Sequence, residues 1–377
     1  MAKILLVEPY LTGSHSAWAK GYACASAHDV ELLTLEGRYW KWRMHGGAVT
    51  LARRFLRKGP RPDVLLATDM LDLTTFLALT RTVTGRTPAA LYFHENQLTY
   101  PWSPADRDVE KGRDGHYGFI NIASALAAER VFFNSSYHME SFVDGAARYL
   151  RGLPDHRELQ AVKTIAQKSS VLPVGMDLRA LDRGSRPRRR GPALVLWNHR
   201  WEYDKGPEEF FRALYALDRR GLDFEVAVLG ENFRNRPSEF DEARRRLGPR
   251  IVRFGYVKER REYARWLHRA DILPVTSRHD FFGCSVVEAI YCGVYPLLPR
   301  RLAYPEHIPR RLHGRHLYDG YVDLVEKLAA AVKDIDETRK TTLRSAVERY
   351  DWSLTAPLYD EALEGMARKA PGASRRP

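Results

Sequence analysis

The stretch Leu181-Asp182-Arg183-Gly184-Ser185-Arg186-Pro187-Arg188-Arg189-Arg190-Gly191-Pro192 sets the plan of the chain. Proline, glycine and like charges crowd it, and such a composition has little to bury, so a linker is predicted over 181–192. Before it, short aliphatic or β-branched runs at 4–7, 30–35, 64–67, 89–94 and 130–134 alternate with amphipathic stretches such as 48–56 and 116–128. After it the rhythm restarts, with runs at 193–197, 224–229, 251–257, 271–275 and 294–298 and helical periodicity over 207–220 and 261–270. Strands alternating with helices mark βα units on a parallel sheet. The expectation is an α/β chain of two doubly wound domains, 1–180 and 193–350. Helical patterns also cover 321–336, 337–350 and 356–369; the segment 351–369 is expected to form a C-terminal helix packing back on the first domain, and 370–377 reads as a disordered tail.

Composition narrows the class. The 377 residues include 44% hydrophobic and 28% charged side chains, with 15 Phe, 19 Tyr and 8 Trp, which is enough for a buried core and excludes a disordered or fibrous chain. Lys+Arg exceed Asp+Glu by 60 to 47, a formal charge of +13. That excess favours an anionic partner such as nucleic acid, nucleotide or lipid headgroup, although a basic surface that is merely solvated gives the same sum. Cys24, Cys284 and Cys292 form neither a disulfide framework nor the repeated short spacing of a zinc site, which points to a reducing compartment. The first apolar run, Ile4-Leu5-Leu6-Val7, is too short for a signal-peptide core and no later stretch reaches membrane-span length, so a soluble cytoplasmic protein is expected.

Open α/β sheets bind ligands beyond the carboxyl ends of their strands. Two such sheets joined by a linker predict a cleft lined by strand-end loops, and the informative motifs fall on such loops. Asp280-Phe281-Phe282-Gly283-Cys284-Ser285-Val286-Val287-Glu288-Ala289 follows the 271–275 run and opens a helix. Gly283 permits close backbone approach, and the amides of Gly283 to Val286 at a positive helix end suit a diphosphate. Glu288, nearly one turn in, is placed for ribose hydroxyls, and Asp280 for the hydroxyls of whatever the phosphate carries. In Asn198-His199-Arg200-Trp201-Glu202-Tyr203-Asp204-Lys205-Gly206-Pro207, Arg200 and Lys205 supply two cations that can clamp a leaving diphosphate.

In the first domain, Gly13-Ser14-His15 after the first strand is either an anion-approaching turn or simply a tight one. His94-Glu95-Asn96-Gln97 places four polar side chains at a strand end; it is not H-E-x-x-H, because Leu98 stands where the second His belongs. Asn134-Ser135 ends the next strand similarly, or caps a helix. Trp40-Lys41-Trp42-Arg43 interleaves aromatics with cations, as stacking on bases requires, and equally suits a packed edge. Asp106-x-Asp108 and Asp334-x-Asp336 have the form of a divalent-cation pair, but neither follows a strand, so no metal site is expected from them.

Arg200-x4-Lys205-Gly206 together with Asp280-Phe281-Phe282-Gly283-x4-Glu288-Ala289 resembles the donor site of retaining GT-B glycosyltransferases, which have two Rossmann-like domains and an interdomain cleft. Gly13-Ser14-His15, Lys41-Trp42-Arg43, Tyr92-Phe93-His94-Glu95-Asn96-Gln97-Leu98-x-Tyr100-Pro101, Asn134-Ser135-x3-Met139-Glu140-Ser141-Phe142 and Pro154-Asp155-His156 narrow this to a resemblance to the tRNA-queuosine mannosyltransferases. The resemblance implies transfer of mannose from GDP-mannose to the cyclopentene diol of queuosine in a tRNA anticodon loop of the tRNA-Asp type, with retention and without a metal or other cofactor. It implies an acceptor-binding first domain and a donor-binding second one. His94, Arg200, Lys205 and Asp280 would be catalytic. Gly13, Ser14, Asn198, Arg200, Lys205, Phe282, Gly283, Cys284, Ser285, Val286 and Glu288 would bind donor, and His15, Trp40, Trp42, Arg43, Glu95, Asn96, Gln97 and Asn134 the acceptor. One departure is Asp280 where Glu is commoner, which keeps the carboxylate and shortens its reach by a methylene.

The positive charge suits an RNA acceptor, with arginines crowding 186–190, 234–236, 244–246, 260–261, 300–301 and 310–315. A monomer without membrane attachment is expected. Two rival readings stand beside this one. A retaining glycosyltransferase with another nucleotide sugar and a lipid or small-molecule acceptor would be expected to show a basic amphipathic membrane helix, and none is evident. A non-catalytic RNA-binding protein has no need of Arg200, Lys205 and Glu288 at strand ends.

Overall fold

A computed structural model describes residues 1–59, 61–101, 115–185, 190–231 and 237–369. The chain divides into two compact units, one of Met1–Met176 with Trp352–Pro377 and one of Asp177–Asp351. The first unit runs β1 (Lys3–Leu11), α1 (Gly13–Ala25), β2 (Asp29–Glu36), α2 (Trp40–Lys58), β3 (Val64–Thr68), α3 (Leu73–Thr84), β4 (Ala89–Phe93), α4 (Gly115–Ala127), β5 (Arg130–Phe133), α5 (Ser136–Arg151), α6 (Leu159–Lys168) and β6 (Ser169–Val171). Its sheet has the order β2-β1-β3-β4-β5-β6, parallel throughout. The second unit runs β7 (Ala193–Trp197), α7 (Pro207–Arg219), β8 (Phe224–Val228), α8 (Glu239–Arg246), β9 (Ile251–Phe254), α9 (Arg260–Arg269), β10 (Ile272–Pro274), α10 (Cys284–Tyr291), β11 (Tyr295–Pro299), β12 (Leu317–Tyr318) and α11 (Tyr321–Lys333). Its order is β12-β11-β10-β7-β8-β9, again parallel.

Central strands β3, β4, β7 and β11 are buried at every residue. Helices therefore cover both faces, and the strands read as continuous apolar runs rather than alternating ones. In the first unit Leu5, Leu65, Leu91, Val131 and Phe133 meet Leu51, Phe55, Phe76, Ile122 and Phe142 from the helices. In the second, Trp197 stacks on Phe211 and meets Phe210 edge-on, and Trp201 stacks on Phe240. Asp72 caps α3 by accepting from the Thr75 amide, and Ser135 caps α5 by accepting from the His138 amide.

The C-terminal helix α12 (Trp352–Lys369) belongs to the first unit. Trp18 Nε1 donates to Tyr359 Oη at 3.0 Å and Tyr22 Oη to Asp360 Oδ1 at 2.8 Å. Gly21 and Gly175 leave the space that the Trp352 ring fills.

Three sequence expectations differ from the structure. Residues Arg179–Gly184 form a 3-10 turn rather than the first part of a linker: Leu181 is fully buried, and Asp182 accepts from Arg344 at 2.9 Å and from Tyr291 Oη at 2.9 Å. The core of that linker, 186–189, lies outside the described residues, as do the Asp106-x-Asp108 pair, arginines 234–236 and the tail 370–377. The helix expected over 337–350 is broken into short turns, because Arg339 leaves the helical face to pair with buried Asp271 at 2.9 Å. Helix α12 begins four residues ahead of its periodic pattern, where packing of Trp352 overrides the local signal.

Candidate active site

In the second unit the loops after β7 and β10 converge. Gly206 has φ +66, and a Cβ there would stand 2.5 Å from the Thr276 carbonyl oxygen, so glycine lets the two loops touch. Pro207 then starts α7 at a position where a missing amide hydrogen costs nothing. The turn buries Lys205, whose Nζ donates to the His279 carbonyl at 3.0 Å and lies 3.1 Å from Asp204 Oδ2 and 3.6 Å from Asp280 Oδ2. Burial alone would lower the ammonium pKa, but Asp280 and Asp204 outweigh it and raise it. Asp280 is the mirror case: burial favours protonation, while Lys205 holds the carboxyl below its ordinary value, and Tyr304 Oη donates to it at 3.1 Å. The lysine and the aspartate expected to handle phosphate and sugar are thus one ion-paired unit, with Asp204 as a third member that the sequence motifs do not single out.

Gly283 has φ +88 and opens α10 without a side-chain cap. The amides of Gly283, Cys284 and Ser285 begin the turn, where an α-helix supplies no intrahelical acceptor. Val286 differs from expectation: its amide donates to the Gly283 carbonyl at 2.9 Å, because the first turn tightens to a three-residue bond, so it is not an available donor. Phe282 is buried against His307 and Tyr350, and its carbonyl accepts from His307 Nε2 at 2.6 Å. Burial pushes the Cys284 thiol pKa up, which keeps it protonated.

Glu288 sits one turn into α10. Arg260 Nη2 lies 2.6 Å from its Oε1, and Tyr263 Oη donates to its Oε2 at 2.9 Å. Arg260, expected among the RNA-facing arginines, is instead committed to the donor motif. Asn198 Nδ2 donates to the Ser285 carbonyl at 2.8 Å and lies 3.3 Å from Tyr263 Oη, which ties the end of β7 to α10; Asn198 Oδ1 is buried with no partner among the described residues. His199 Nδ1 hydrogen-bonds Ser285 Oγ at 3.1 Å, and burial followed by the Lys205 charge lowers its pKa to about 4. Arg200 is half exposed and pairs with Glu202 at 3.1 Å.

In the first unit, Gly13 at φ +49 turns the chain from β1 into α1. Ser14 and His15 follow in the first turn. His15 Nδ1 lies 2.9 Å from Glu8 Oε2, and Glu8, fully buried on β1, also accepts from the Tyr10 amide through Oε1 at 2.7 Å. The His94 ring lies 4.3 Å from that of His15, 4.6 Å from that of Trp18 and 4.8 Å from that of Tyr92. Its loop is pinned by side chains: Asp69 Oδ1 accepts from the His94 amide at 2.8 Å, Asn134 Nδ2 donates to the His94 carbonyl at 2.9 Å, and Asn121 Oδ1 accepts from the Gln97 amide at 2.9 Å.

Of the expected acceptor residues, Asn134 is spent on the loop itself, and Asn96 spends its Oδ1 there while its Nδ2 is buried with no hydrogen-bond partner among the described residues. Asn96 is fully buried and its Oδ1 accepts from the Leu98 and Thr99 amides at 3.1 and 3.0 Å, while Asn134 Oδ1 pairs with His138 Nδ1 at 2.8 Å. Gln97 Nε2 donates to Glu95 Oε1 at 3.0 Å. Trp40 turns inward onto Tyr117, with ring centres 5.1 Å apart, whereas Trp42 is 63% and Tyr39 78% exposed. Arg43 Nε donates to the Glu36 carbonyl at 3.1 Å. The exposed aromatic pair is therefore Tyr39 and Trp42 rather than the two tryptophans, since a helix puts positions two apart on different faces.

Among the described residues no helix is long and apolar enough to cross a membrane. Residues 3–176 match the family model of the tRNA-queuosine alpha-mannosyltransferase N-terminal region, and residues 179–346 match glycosyl transferases group 1. The chain is 35% identical to the tRNA-queuosine alpha-mannosyltransferase of Drosophila melanogaster over 337 residues, covering 86% of this chain and 85% of that one. It is 24% identical over 65% of its length to the GDP-mannose:cellobiosyl-diphosphopolyprenol alpha-mannosyltransferase of Xanthomonas oryzae pv. oryzae, covering 64% of that protein. Its fold matches the sucrose-phosphate synthase of Thermosynechococcus elongatus with a TM-score of 0.70 at 14% identity, covering 97% of this chain and 99% of that one. It likewise matches Anabaena HepE solved with UDP-glucose, with a TM-score of 0.67 at 16% identity over 97% and 100% of the two chains. With two parallel six-stranded sheets, both family models in place and this identity over most of its length, the chain belongs to the tRNA-queuosine alpha-mannosyltransferase family of GT-B glycosyltransferases.

Proposed function

We propose that this enzyme transfers mannose from GDP-mannose to a diol hydroxyl of queuosine in tRNA, with retention of configuration, as a cytoplasmic monomer that needs no metal. The observation that carries the reading is that family membership extends over the first unit, where the pinned His94 loop lies, and not only over the donor unit common to many glycosyltransferases.

The bond from mannose C1 to the β-phosphate oxygen breaks, a bond from C1 to the queuosine oxygen forms, and the hydroxyl proton leaves with the departing diphosphate. Charge builds on that diphosphate, so donors fixed beforehand lower the barrier without reorganising at the moment of reaction. Lys205, Arg200 and the amides of Gly283, Cys284 and Ser285 are those donors. They supply the positive charge that a divalent ion would otherwise bring. Glu288, oriented by Arg260 and Tyr263, takes the ribose hydroxyls. Asp280, kept ionised by Lys205, takes hydroxyls of the hexose. Gly13 and Ser14 contribute backbone contact to the donor. His94 and Glu95 face the acceptor diol, Asn96, Gln97 and Asn134 hold their loop, and Trp42 with Arg43 meets the anticodon-loop bases.

The test is mass spectrometry of nucleosides from queuosine-containing tRNA after incubation with GDP-mannose, UDP-glucose or UDP-N-acetylglucosamine. A hexose added to queuosine with GDP-mannose alone is expected. Transfer from a UDP-sugar, or modification of no nucleoside with any donor, would overturn it.

A further inference from the structure

Helix α2 carries a charge that its own sequence does not offset. Its 19 residues include Lys41, Arg43, Arg53, Arg54, Arg57 and Lys58 and no Asp or Glu. One face is spent on the core of the first unit, through Ala48, Leu51, Ala52 and Phe55. At helical spacing, Tyr39 just before the helix and then Trp42, Gly46, Arg53 and Arg57 follow one another along the opposite, outward ridge. With a rise of 1.5 Å per residue this ridge is about 27 Å long.

Its two ends differ. At the first, Trp42 and Tyr39 are largely exposed. Tyr39 holds left-handed backbone at φ +55, a conformation that bulky residues rarely adopt, and its carbonyl accepts from the Trp42 and Arg43 amides at 2.9 and 3.0 Å. A Cβ at Gly46 would stand 2.4 Å from the Trp42 ring, so glycine in mid-helix lets the indole lie along α2 while it stays open to solvent. At the other end Arg53, Arg54, Arg57 and Lys58 are exposed. Arg54 Nη1 donates to the Thr34 carbonyl at 3.1 Å, a neutral partner that leaves its charge uncompensated. Arg54, Arg57 and Lys58 line one recess with Leu32, Leu33 and Thr34 of the edge strand β2. Lys58 meets Glu31 at 3.5 Å; among the described residues Arg53, Arg54 and Arg57 pair with no carboxylate. The helix dipole favours cations in the last turn, which accounts for Arg57 and Lys58 but not for two aromatic rings left in water at the first turn.

We infer that the outward ridge of α2 is the docking surface for the anticodon arm of the acceptor tRNA, with Tyr39 and Trp42 stacking on unpaired loop bases and Arg53, Arg54 and Arg57 meeting phosphates of the stem. The inference rests on the acceptor reading above and extends it from the modified nucleoside to the arm that carries it. Unpaired bases present ring faces, which an aromatic platform takes whatever their identity. A duplex stem presents a row of phosphates, which cations along one helical face can neutralise. The fold sets the order of the two ends. The first turn of α2 lies at the carboxyl ends of the strands, where Trp40 and Met44 pack with Met70 and Tyr117, and Met70 follows Asp69, which holds the His94 amide. An anionic membrane is the rival partner for a basic helix, but it would need α2 to offer an apolar face, and that face is buried in the core.

Binding of a queuosine-containing anticodon stem-loop to the full chain, followed by fluorescence anisotropy over a salt series, tests the inference. Arg53→Glu with Arg57→Glu is expected to weaken binding by about tenfold or more and to reduce the slope of log K against log salt by about 0.9 for each phosphate released, with GDP affinity unchanged. Trp42→Ala is expected to weaken binding by about tenfold with the slope unchanged, because stacking releases no counterions. Arg148→Glu with Arg151→Glu makes the same change of charge at exposed positions in the last turn of α5, and is expected to alter neither affinity nor slope. Equal responses to the two arginine pairs, no response to the α2 pair, or full affinity in Trp42→Ala would overturn the inference. Sedimentation with phosphatidylserine vesicles that the α2 pair abolishes would also overturn it and assign the ridge to a membrane. If the unaltered enzyme mannosylates no queuosine while the stem-loop still binds through α2, the acceptor reading fails and the docking surface stands.

Discussion

In the first unit a histidine is made the cation, with His15 held by Glu8. In the second, His199, His279, His307 and His316 are all held neutral by burial, their pKa values lowered to about 4, and the cations at the candidate donor motifs are Lys205, which is buried, and Arg260, which is half exposed. On the proposed function the contrast follows from the ligands. A diphosphate is a permanent anion, and it is best met by groups whose charge does not change near neutral pH. A neutral diol offers only hydrogen bonds, and its recognition depends on whether an imidazole donates or accepts. A carboxylate accompanies the cation in both units, and in the second the pairs Lys205–Asp280 and Arg260–Glu288 would, on the proposed function, combine phosphate handling with sugar handling.

The largest effect that would break this contrast is expected at Lys205. Lys205→Ala removes the charge that offsets the departing diphosphate and strands Asp204 and Asp280 in a buried site, so turnover is expected to fall by about a hundredfold or more. Steady-state kinetics with GDP-mannose measures it, and activity within a fewfold of the unaltered enzyme would remove Lys205 from the leaving-group role. On the proposed mechanism activity is expected to survive EDTA, since the fixed cations would take the place of a metal.

The next effect sharpens the division within the second unit. Asp280→Asn is expected to lower transfer by about tenfold or more while GDP affinity is retained, because the loss falls on the hexose; Glu288→Ala is expected to weaken GDP itself by about tenfold, the scale of one hydrogen bond to a charged group. Calorimetric titration with GDP separates them. Equal falls in GDP affinity would erase the proposed assignment of sugar to one carboxylate and ribose to the other.

Much of this arrangement is legible in the sequence because the residues lie next to one another in it. The βα rhythm predicts two parallel sheets, and Gly283 and Gly206 stand where the chain must adopt positive φ. What is not legible is set by packing across the sheet. Glu8 reads as an ordinary strand residue until His15 returns to it, and Asp204 reads as a solvent charge until the fold buries it against Lys205. Arg260 and Tyr263 lie on α9, a different helix from Glu288, with no spacing rule to link them. Trp40 and Trp42 are equivalent by composition, and only the phase of α2 separates them. Short strands β6 and β12, of three and two residues, carry too little periodicity to be seen.

A smaller effect distinguishes the units by pH. His15 has a raised folded-state pKa, so its contribution to stability is full below the unfolded value near 6.5 and is lost as pH rises toward 9, by about 1–3 kcal/mol. The neutral histidines of the second unit act in the other direction: the unfolded chain takes up protons that the folded one refuses, so stability falls as pH drops from about 6.5 toward 4. Hydrogen exchange read on peptides from each unit is expected to show the alkaline loss in the first and not in the second, and Glu8→Gln to abolish it. An alkaline loss spread equally over both units would show that the His15 charge is not its source.

The smallest effect concerns the basic surface, where the two units again differ from what charge counting suggests. Several second-unit arginines are already committed: Arg246 to Glu242 at 2.9 Å and to the face of Tyr215, Arg244 to the face of Phe254, Arg300 to Asp319 at 2.8 Å, and Arg301 to the Ser277 carbonyl at 3.2 Å. A guanidinium paired in this way neutralises a phosphate only by giving up its partner, so its contribution to RNA affinity is reduced. Arg310 and Arg311, in an exposed turn, are better placed. Charge reversal at Arg310 and Arg311 is expected to reduce the slope of log K for tRNA against log salt by about 0.7–0.9 for each phosphate left unneutralised, with GDP affinity unchanged. Reversal at Arg300 is expected to leave the slope as it was. If the slope responds to Arg300 as strongly as to Arg310 and Arg311, pairing does not select the RNA-facing arginines, and the positive charge acts only as a diffuse field.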